Sequence, residues 1–455
     1  MIGTISTLLL LGAIAFLGFQ WQAAHYRAKL AEQEQRVRDA GEPLDGADLN
    51  AWYKIPEGDA DLRPLYVAAL APLADSKQGP DPKGVPYFDT ESDTIPLPGE
   101  VWDDMAVSEA FLAKHEQTWS LLLHATQQEG SVRYPLDFRQ GIAMRLDYLN
   151  QLRAAVRLCC LRAAILSRKG DCKGVADSMI ASLRLAESVR DEPLLNSQLF
   201  RIGAHETIGD LIVLVVSDGK LPLEQFKRLQ TEFAHIDRES ASRIALLGER
   251  AGYGYQVMLS TIDEVRGEAR ELNGATNRPL REIRPGDCAL LLELLTDSVE
   301  ASEGKYPYIW KQQQEISRKV DFIFAEDTNR FAWNRDELTK MFFVPAHYVV
   351  FAAFTRGVAQ HRCTLVLLAA EQYRRVEGQY PKQLSDLAPG YLAELPTDPY
   401  TGEPLRMVQT SERFIIYSVG KNEQDDGGDV SYVGRQALDT GSAVPPFRAE
   451  PDVSP

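Results

Sequence analysis

The feature that most constrains the fold is the periodic spacing of apolar residues through the centre of the chain. Between about 104 and 268, apolar side chains recur every three or four positions, which is typical of amphipathic or buried helices. One such series is Leu149, Leu152, Val156, Cys160 and Ala163. Breaks in the pattern fall at Gly130, Gly170-Asp171, Asp191-Glu192-Pro193 and 219–222. The spacing predicts a mostly α protein whose long helices pair antiparallel, as a helical bundle or an irregular α-solenoid.

The size and charge of the chain further limit its possible domain number, binding partners and metal or disulfide sites. The chain has 455 residues, 44% of them hydrophobic, and its 49 Lys+Arg against 65 Asp+Glu give a net charge of −16. This length allows a sizeable core and two or three domains, while the acidic balance, without a local basic patch, argues against nucleic acid as a partner. The five cysteines contain no CxxC pair, so they predict neither a disulfide framework nor a zinc motif.

The N-terminus carries the first specific signal. Ile2 to Trp21 contains no charged residue, and about twenty helical residues span the roughly 30 Å of a bilayer core. A basic n-region and a small-residue cleavage site are both missing, which disfavours a cleaved signal peptide. We therefore predict an uncleaved transmembrane anchor over 1–21, followed by a charged juxtamembrane helix over 22–41. A helical domain is expected over 42–344.

The second signal lies near the C-terminus. A helix over Cys363 to Arg375 leads into Gly378-Gln379-Tyr380-Pro381, and a short helix precedes a Leu-Pro-x-Asp-Pro turn. Two strand-like runs follow, Leu405 to Val408 and Phe414 to Val419, and then an acidic, glycine-containing loop. This order predicts a small α+β module with an antiparallel sheet over 345–434, before a disordered tail over 435–455.

This series resembles the globular domain of the major, G-type pseudopilins of type II secretion systems. The resemblance covers about 355 to 431 and is carried by Tyr373, Gly378, Tyr380-Pro381, Leu395-Pro396, Asp398-Pro399, Tyr417-Ser418, Gly420, Asp425-Asp426 and Asp429. It implies a fold of one long helix and a small sheet, and a link to the bacterial envelope and to secretion. The whole chain is similar to large membrane-anchored bacterial proteins that end in such a module. Met1 to Thr7 lacks the pseudopilin processing site, so assembly as a pilus subunit is not expected.

The acidic loop is the predicted metal site, with Asn422, Asp425, Asp426 and Asp429 as candidate calcium ligands. Calcium prefers six to eight hard oxygen atoms, and carboxylates separated by flexible glycines can supply several of them. The family resemblance implies the same ion, although Asn422 stands where the family tends to have an Asp. The alternative is a solvated turn, because Asp and Gly are also common turn residues.

Catalytic signatures are missing from the sequence: it contains no HExxH, GxSxG, GxxxxGK or GxGxxG motif in a suitable context. We therefore predict a membrane-anchored, non-enzymatic scaffold or interaction protein whose protein partners the sequence does not identify. The alternative is an enzyme with a site assembled in the helical body, for which His205, Glu206 and Asp210 on one helix are the candidates.

Localisation rests on two opposing arguments. Four basic residues follow the predicted anchor, namely Arg27, Lys29, Arg36 and Arg38. The positive-inside rule would keep the body in the cytoplasm, whereas the family resemblance places it on the outer side of the inner membrane. Because long domains cross largely regardless of charge, we predict a single-pass inner-membrane protein with a periplasmic body.

Overall fold

The computed structural model describes residues 2–74, 82–89, 95–259, 285–325, 339, 344–430 and 438–445. This part of the chain is mostly helical, with a small antiparallel sheet near the C-terminus. The α-helices are α1 Ile2–Asp39, α2 Gly46–Trp52, α3 Arg63–Leu70, α4 Met105–Lys114, α5 Glu116–Thr126, α6 Asp147–Lys169, α7 Cys172–Glu187, α8 Leu195–Ser217, α9 Leu223–Ala234, α10 Ala241–Gly248, α11 Tyr255–Leu259, α12 Pro285–Glu300, α13 Tyr308–Ala325 and α14 Val344–Glu377. The strands are β1 Arg406–Gln409, β2 Phe414–Ser418 and β3 Thr440–Val444.

The predicted helix breaks are confirmed in the centre of the chain. Gly170 ends α6 with a φ of 77°, a left-handed conformation that glycine adopts without steric cost. Asp171 then caps α7, since its carboxylate accepts a 2.9 Å hydrogen bond from the backbone N–H of Gly174. The two helices therefore form an antiparallel pair with a one-turn connection, as the apolar spacing predicts.

Helix α1 is continuous over 38 residues and packs its C-terminal part on α12. Val37 is fully buried against Leu292, and Arg36 reaches both Asp297 and Glu300 on the same helix. Of the anchor predicted over 1–21, residue 1 and the side chains of 2–9, Ala15 and Phe19, together with the exposure of Gly12, lie outside the described part of the chain. Among the helices as described, none has the combination of length and apolarity needed to cross a membrane.

The sheet has the order β1-β2-β3 and all its pairs are antiparallel. Both faces of the central strand are covered, which explains why every residue of β2 is buried. Phe414 and Ile416 pack into the main core beside α14, whereas Ile415 and Tyr417 pack on a second cluster with Val430 of the acidic loop. The alternation of a strand thus buries one face against a helix and the other against a loop.

The prediction of a disordered tail over 435–455 is wrong at 440–444, which forms β3. Phe414 pairs with Val444, and Ser418 pairs with Thr440. Pairing with β2 satisfies the backbone of a short run whose central residues include Gly441 and Ala443, which have weak strand propensity. Residues 435–437 and 446–455 of that tail lie outside the described part of the chain.

The main core is continuous between the helical body and the C-terminal module. Leu152 of α6, Ile208 of α8 and Val366 of α14 belong to the same buried cluster as Ile416 of β2. Since α14 contacts α8, α9, β2 and β3, it is the element that joins the sheet to the bundle. The sheet therefore has no separate core on its α14 side.

Candidate functional site

The acidic loop follows β2 and is held together by its own side chains. Asp425 Oδ1 accepts a 2.9 Å hydrogen bond from the Tyr417 hydroxyl and a 3.0 Å bond from the Gly427 N–H. Its other oxygen pairs with the Arg406 guanidinium of β1. The N–H of Gly427, followed by the effects of Tyr417 and Arg406, lowers the pKa of Asp425 although its burial opposes this. A protein cation therefore already balances the charge of one predicted calcium ligand.

Two of the other predicted ligands, Asn422 and Asp426, contact each other. Asn422 Nδ2 donates a 2.8 Å hydrogen bond to Asp426 Oδ2, and the Asn422 side-chain oxygen accepts from the Gln424 N–H at 3.1 Å. Across the part of the chain that the structure describes, no group of three or more His, Cys, Asp or Glu side chains is placed to hold a metal ion. Calcium binding by Asn422, Asp425, Asp426 and Asp429 stays a prediction.

Asp439 is the central residue of this loop that sequence reasoning missed. It is 2% exposed, and its carboxylate accepts backbone hydrogen bonds from Gly428 at 2.8 Å, Asp429 at 3.1 Å and Asp426 at 3.5 Å. Burial raises its pKa, and the three N–H donors oppose that rise. Asp439 precedes β3 directly, so the strand that the sequence did not reveal also brings in the residue that shapes the loop.

Two of the residues that carry the pseudopilin resemblance have structural roles. The Asp398 carboxylate accepts 2.9 Å hydrogen bonds from the backbone N–H groups of Val419 and Tyr400, and so ties its turn to the end of β2. Tyr380 stacks on Phe414 with ring centroids 4.0 Å apart, and its hydroxyl donates to the fully buried Glu371 of α14. These contacts give a physical reason for the order of the motifs in the sequence.

The acidic loop also touches the helical body. Glu423 accepts a 2.8 Å hydrogen bond from the Trp310 indole N–H and a 3.2 Å bond from the Gln314 amide, both on α13. Trp310 is 2% exposed and packs edge-on against Tyr400 with centroids 5.0 Å apart. The buried indole of Trp310 therefore joins the acidic loop to the helical body.

The three catalytic candidates of α8 do not converge. His205 is buried beside Glu187, Glu206 forms a 3.1 Å ion pair with Arg356 of α14, and Asp210 is exposed. None of the three lines the groove between α5, α7 and α9 or the groove between α12 and α13. Their spacing on one helix therefore does not assemble an acid and a base in one pocket.

His205 instead belongs to a buried group of charges. Arg201 binds Glu187 through two hydrogen bonds of 2.7 and 2.8 Å, and also donates to the backbone oxygen of Asp237 at 2.5 Å. Burial would raise the pKa of Glu187, but Arg201 and His205 outweigh it and lower the pKa below its ordinary value. Burial, together with Arg238, lowers the pKa of His205 to about 3, so this imidazole is neutral at pH 7.

A further buried carboxylate lies at the break between α7 and α8. Glu192 is 0% exposed and accepts hydrogen bonds from the hydroxyls of Tyr148, Ser197 and Tyr53, the last at 3.2 Å. Burial raises its pKa to about 7, against the opposing effect of the three hydroxyl donors. In the sequence, Glu192 appears only as part of a helix break, so no signal distinguished it from an exposed loop residue.

A groove of about 400 Å³ lies between α5, α7 and α9. Four of its charged lining residues pair with one another: Arg228 binds Asp177 at 2.7 Å, and Arg184 binds Glu232. The groove is therefore polar but internally neutralised, which does not favour a particular charged ligand.

Comparison of the chain with protein families, with curated proteins and with solved structures gives no match. Function must accordingly be argued from the residues and their geometry.

Proposed function

We propose that this protein is a membrane-attached, non-enzymatic scaffold or interaction protein of the bacterial envelope, with α1 as its attachment and the pseudopilin-like module as part of its exposed body. The dispersal of the catalytic candidates is consistent with a role in binding.

The observation that carries the proposal is the contrast between the two halves of α1. Large apolar side chains of the first half point into solvent, with Leu17 66% exposed and Trp21 72% exposed. The other exposed apolar side chains described there are Leu10, Leu11, Ile14 and Phe16. Large apolar side chains exposed together on one helix mark an interaction or membrane site, and Ile2 to Trp21 carries no charge that would oppose insertion.

The second half of α1 holds the apolar half in a fixed relation to the body. Arg36 makes a 2.9 Å hydrogen bond to Asp297 and further bonds to both oxygens of Glu300, and Tyr255 donates to Glu34 at 2.8 Å. A membrane bound to the first half would therefore face a defined side of the protein.

Flotation with lipid vesicles tests the attachment. We expect the native chain to float with the vesicles and the double variant Leu11→Asp/Ile14→Asp to stay in the soluble fraction. Replacing one leucine by aspartate at the centre of a membrane-spanning helix costs about 3 kcal/mol on insertion scales. The matched control is Val101→Asp/Val376→Asp, which changes two exposed valines outside α1 and should leave flotation unchanged. Flotation of the α1 variant at the native level would refute a role of α1 in attachment.

We further propose that the body lies on the outer side of the inner membrane. Paired C-terminal reporters, one active only in the periplasm and one fluorescent only in the cytoplasm, test this. Fluorescence without periplasmic activity would reverse the orientation and would remove the main argument for a link to secretion. If the orientation holds, co-purification with components of a secretion machine is the expected sign of that link.

We also propose that the acidic loop of the pseudopilin-like module binds calcium. The ion would have to replace Arg406 at Asp425, and Ala at position 425 would remove that ligand. We expect the full chain to unfold at a higher temperature with calcium than with chelator, and this difference to vanish in Asp425→Ala/Asp426→Ala. An equal melting temperature with calcium and with chelator in the native chain would exclude the site.

A further inference from the structure

The stretch of α1 just beyond its apolar half carries positive charge only. Arg27 and Lys29 are the first basic residues of the chain, and no Asp or Glu occurs before Glu32. The chain as a whole has a net charge of −16, so the sign of this stretch is opposite to that of the whole protein. A local excess of positive charge on an acidic protein attracts an anionic partner to one place on its surface.

These two cations have no protein counter-ion, unlike the next two along the helix. Both side chains are exposed, and neither forms an ion pair within the part of the chain that the structure describes. Arg36, by contrast, pairs with Asp297 at 2.9 Å. Arg38 lies 3.7 Å from Glu34. The later basic residues of α1 therefore bind the protein itself, whereas the first two are available to an external anion.

The positions of these residues along α1 match the polar layer of a bilayer. The helix is continuous from Trp21, which is 72% exposed, to Arg27 and Lys29. At about 1.5 Å per residue, their Cα atoms lie about 9 and 12 Å beyond that of Trp21. The headgroup layer is about 5–8 Å thick on each side, and the long side chains of Arg and Lys can bend back toward it. With Trp21 at the edge of the hydrocarbon, where tryptophan is enriched, both cations reach the lipid phosphates.

The first acidic residue of α12, which packs beside this stretch, is turned away from it. Gly286 lies on the Tyr26 ring, since a Cβ at this glycine would be 3.2 Å from it. The next residue, Asp287, is 4% exposed and accepts hydrogen bonds from the N–H and the hydroxyl of Thr339, at 3.1 and 2.8 Å. This carboxylate is therefore used inside the protein and does not neutralise the two cations.

We propose that Arg27 and Lys29 bind anionic phospholipids at the bilayer surface. The inference rests on the attachment through α1 proposed above, and it names the lipid class that this attachment selects. The two cations directly follow the exposed apolar side chains that end at Trp21, so the polar contact continues the apolar one. They project about 200° apart around the helix, which suits the many phosphates of a bilayer surface better than one small soluble anion.

Flotation of the full chain with two kinds of vesicle tests the proposal. One kind is phosphatidylcholine alone, and the other contains about one-third phosphatidylglycerol. We expect half-maximal flotation at a lipid concentration at least about tenfold lower with the anionic vesicles, because each basic residue near an anionic surface strengthens binding about fivefold. High salt should remove this difference and leave flotation with the neutral vesicles unchanged.

The variant Arg27→Gln/Lys29→Gln should lose the preference and float equally with both kinds of vesicle. It should keep native flotation with the neutral vesicles, since glutamine favours a helix about as well as the two residues that it replaces. The matched control is Lys114→Gln/Arg157→Gln, which removes two exposed cations outside α1 and has the same net charge as the test variant. This control should keep the native preference.

The outcomes separate lipid selectivity from the attachment itself. Equal flotation of the native chain with both kinds of vesicle would overturn the selectivity and leave the attachment standing. The same conclusion would follow from a native preference in Arg27→Gln/Lys29→Gln, or from an equal loss of preference in Lys114→Gln/Arg157→Gln. Flotation of the native chain with neither kind would overturn the attachment, and the selectivity with it.

Discussion

The buried carboxylate Glu192 makes the stability of this protein depend on pH in a defined direction. It accepts hydrogen bonds from Tyr53, Tyr148 and Ser197, which tie the segment after α2 and the start of α6 to the α7–α8 connection. Its pKa is raised from the ordinary 4.5 to about 7 because burial disfavours the charged form. The folded state therefore holds this proton more tightly than the unfolded state does.

The sign and size of the effect follow from that difference. Below pH 4.5 the carboxyl is protonated in both states, and its full contribution to stability is present. As the pH rises from 4.5 to about 7, the unfolded state loses the proton first and stability falls, by about 3 kcal/mol in total at about 1.4 kcal/mol per pH unit. The neutral variant Glu192→Gln should lose none of this.

Urea unfolding followed by circular dichroism at pH 5 and pH 8 measures the effect. Other titrating groups act equally in both proteins, so the difference between the native chain and Glu192→Gln isolates this carboxyl. We expect the free energy of unfolding of the native chain to fall by about 2–3 kcal/mol more than that of the variant. The control Glu57→Gln, at an exposed carboxylate, should follow the native chain. Parallel pH profiles for the native chain and Glu192→Gln would refute the reasoning.

Three further changes test other parts of the fold. Gly248→Ala places a Cβ 1.5 Å from the backbone oxygen of Pro193, so we expect a loss of about 3 kcal/mol or more, or no folded protein, in urea unfolding; native stability would contradict the close backbone approach. Trp310→Phe keeps the ring in the core but removes the 2.8 Å bond to Glu423, and should cost about 1 kcal/mol by the same assay, with no cost arguing against loop docking. Asp439→Ala leaves three loop amides without their acceptor, so hydrogen exchange of these amides should accelerate at least about tenfold, while unchanged exchange would show that the loop holds without it.

The sequence pattern correctly predicted a helix before β1 and β2, and the structure explains two of the residues that carry the pseudopilin resemblance. Asp398 and Tyr380 stabilise the fold through hydrogen bonds, Asp398 to the Val419 N–H and Tyr380 to Glu371. Such residues are visible in a sequence because each sits beside a proline or a turn at a fixed distance from a strand. Their presence speaks for the local architecture of the module, and the function of the module remains a proposal.

Local physics was sufficient for the helices and two of the strands. Period, caps and breakers act within a few residues, so the turn at Gly170-Asp171 and the strand over Phe414–Ser418 could be predicted from the sequence alone. The uncharged run Ile2 to Trp21 likewise follows from composition, and the attachment that we propose builds on the exposure of its described apolar side chains, such as Leu17 and Trp21.

Tertiary structure alone decided the rest. Thr440–Val444 is a strand only because β2 offers it a partner, and Asp439 shapes the acidic loop only because that pairing brings it there. Burial made Glu192 a carboxylate of raised pKa, although it looks like an ordinary loop residue in the sequence. Periodicity and capping are properties of neighbouring residues, whereas burial and the pairing of charges depend on residues that are distant in the chain and meet only when it folds.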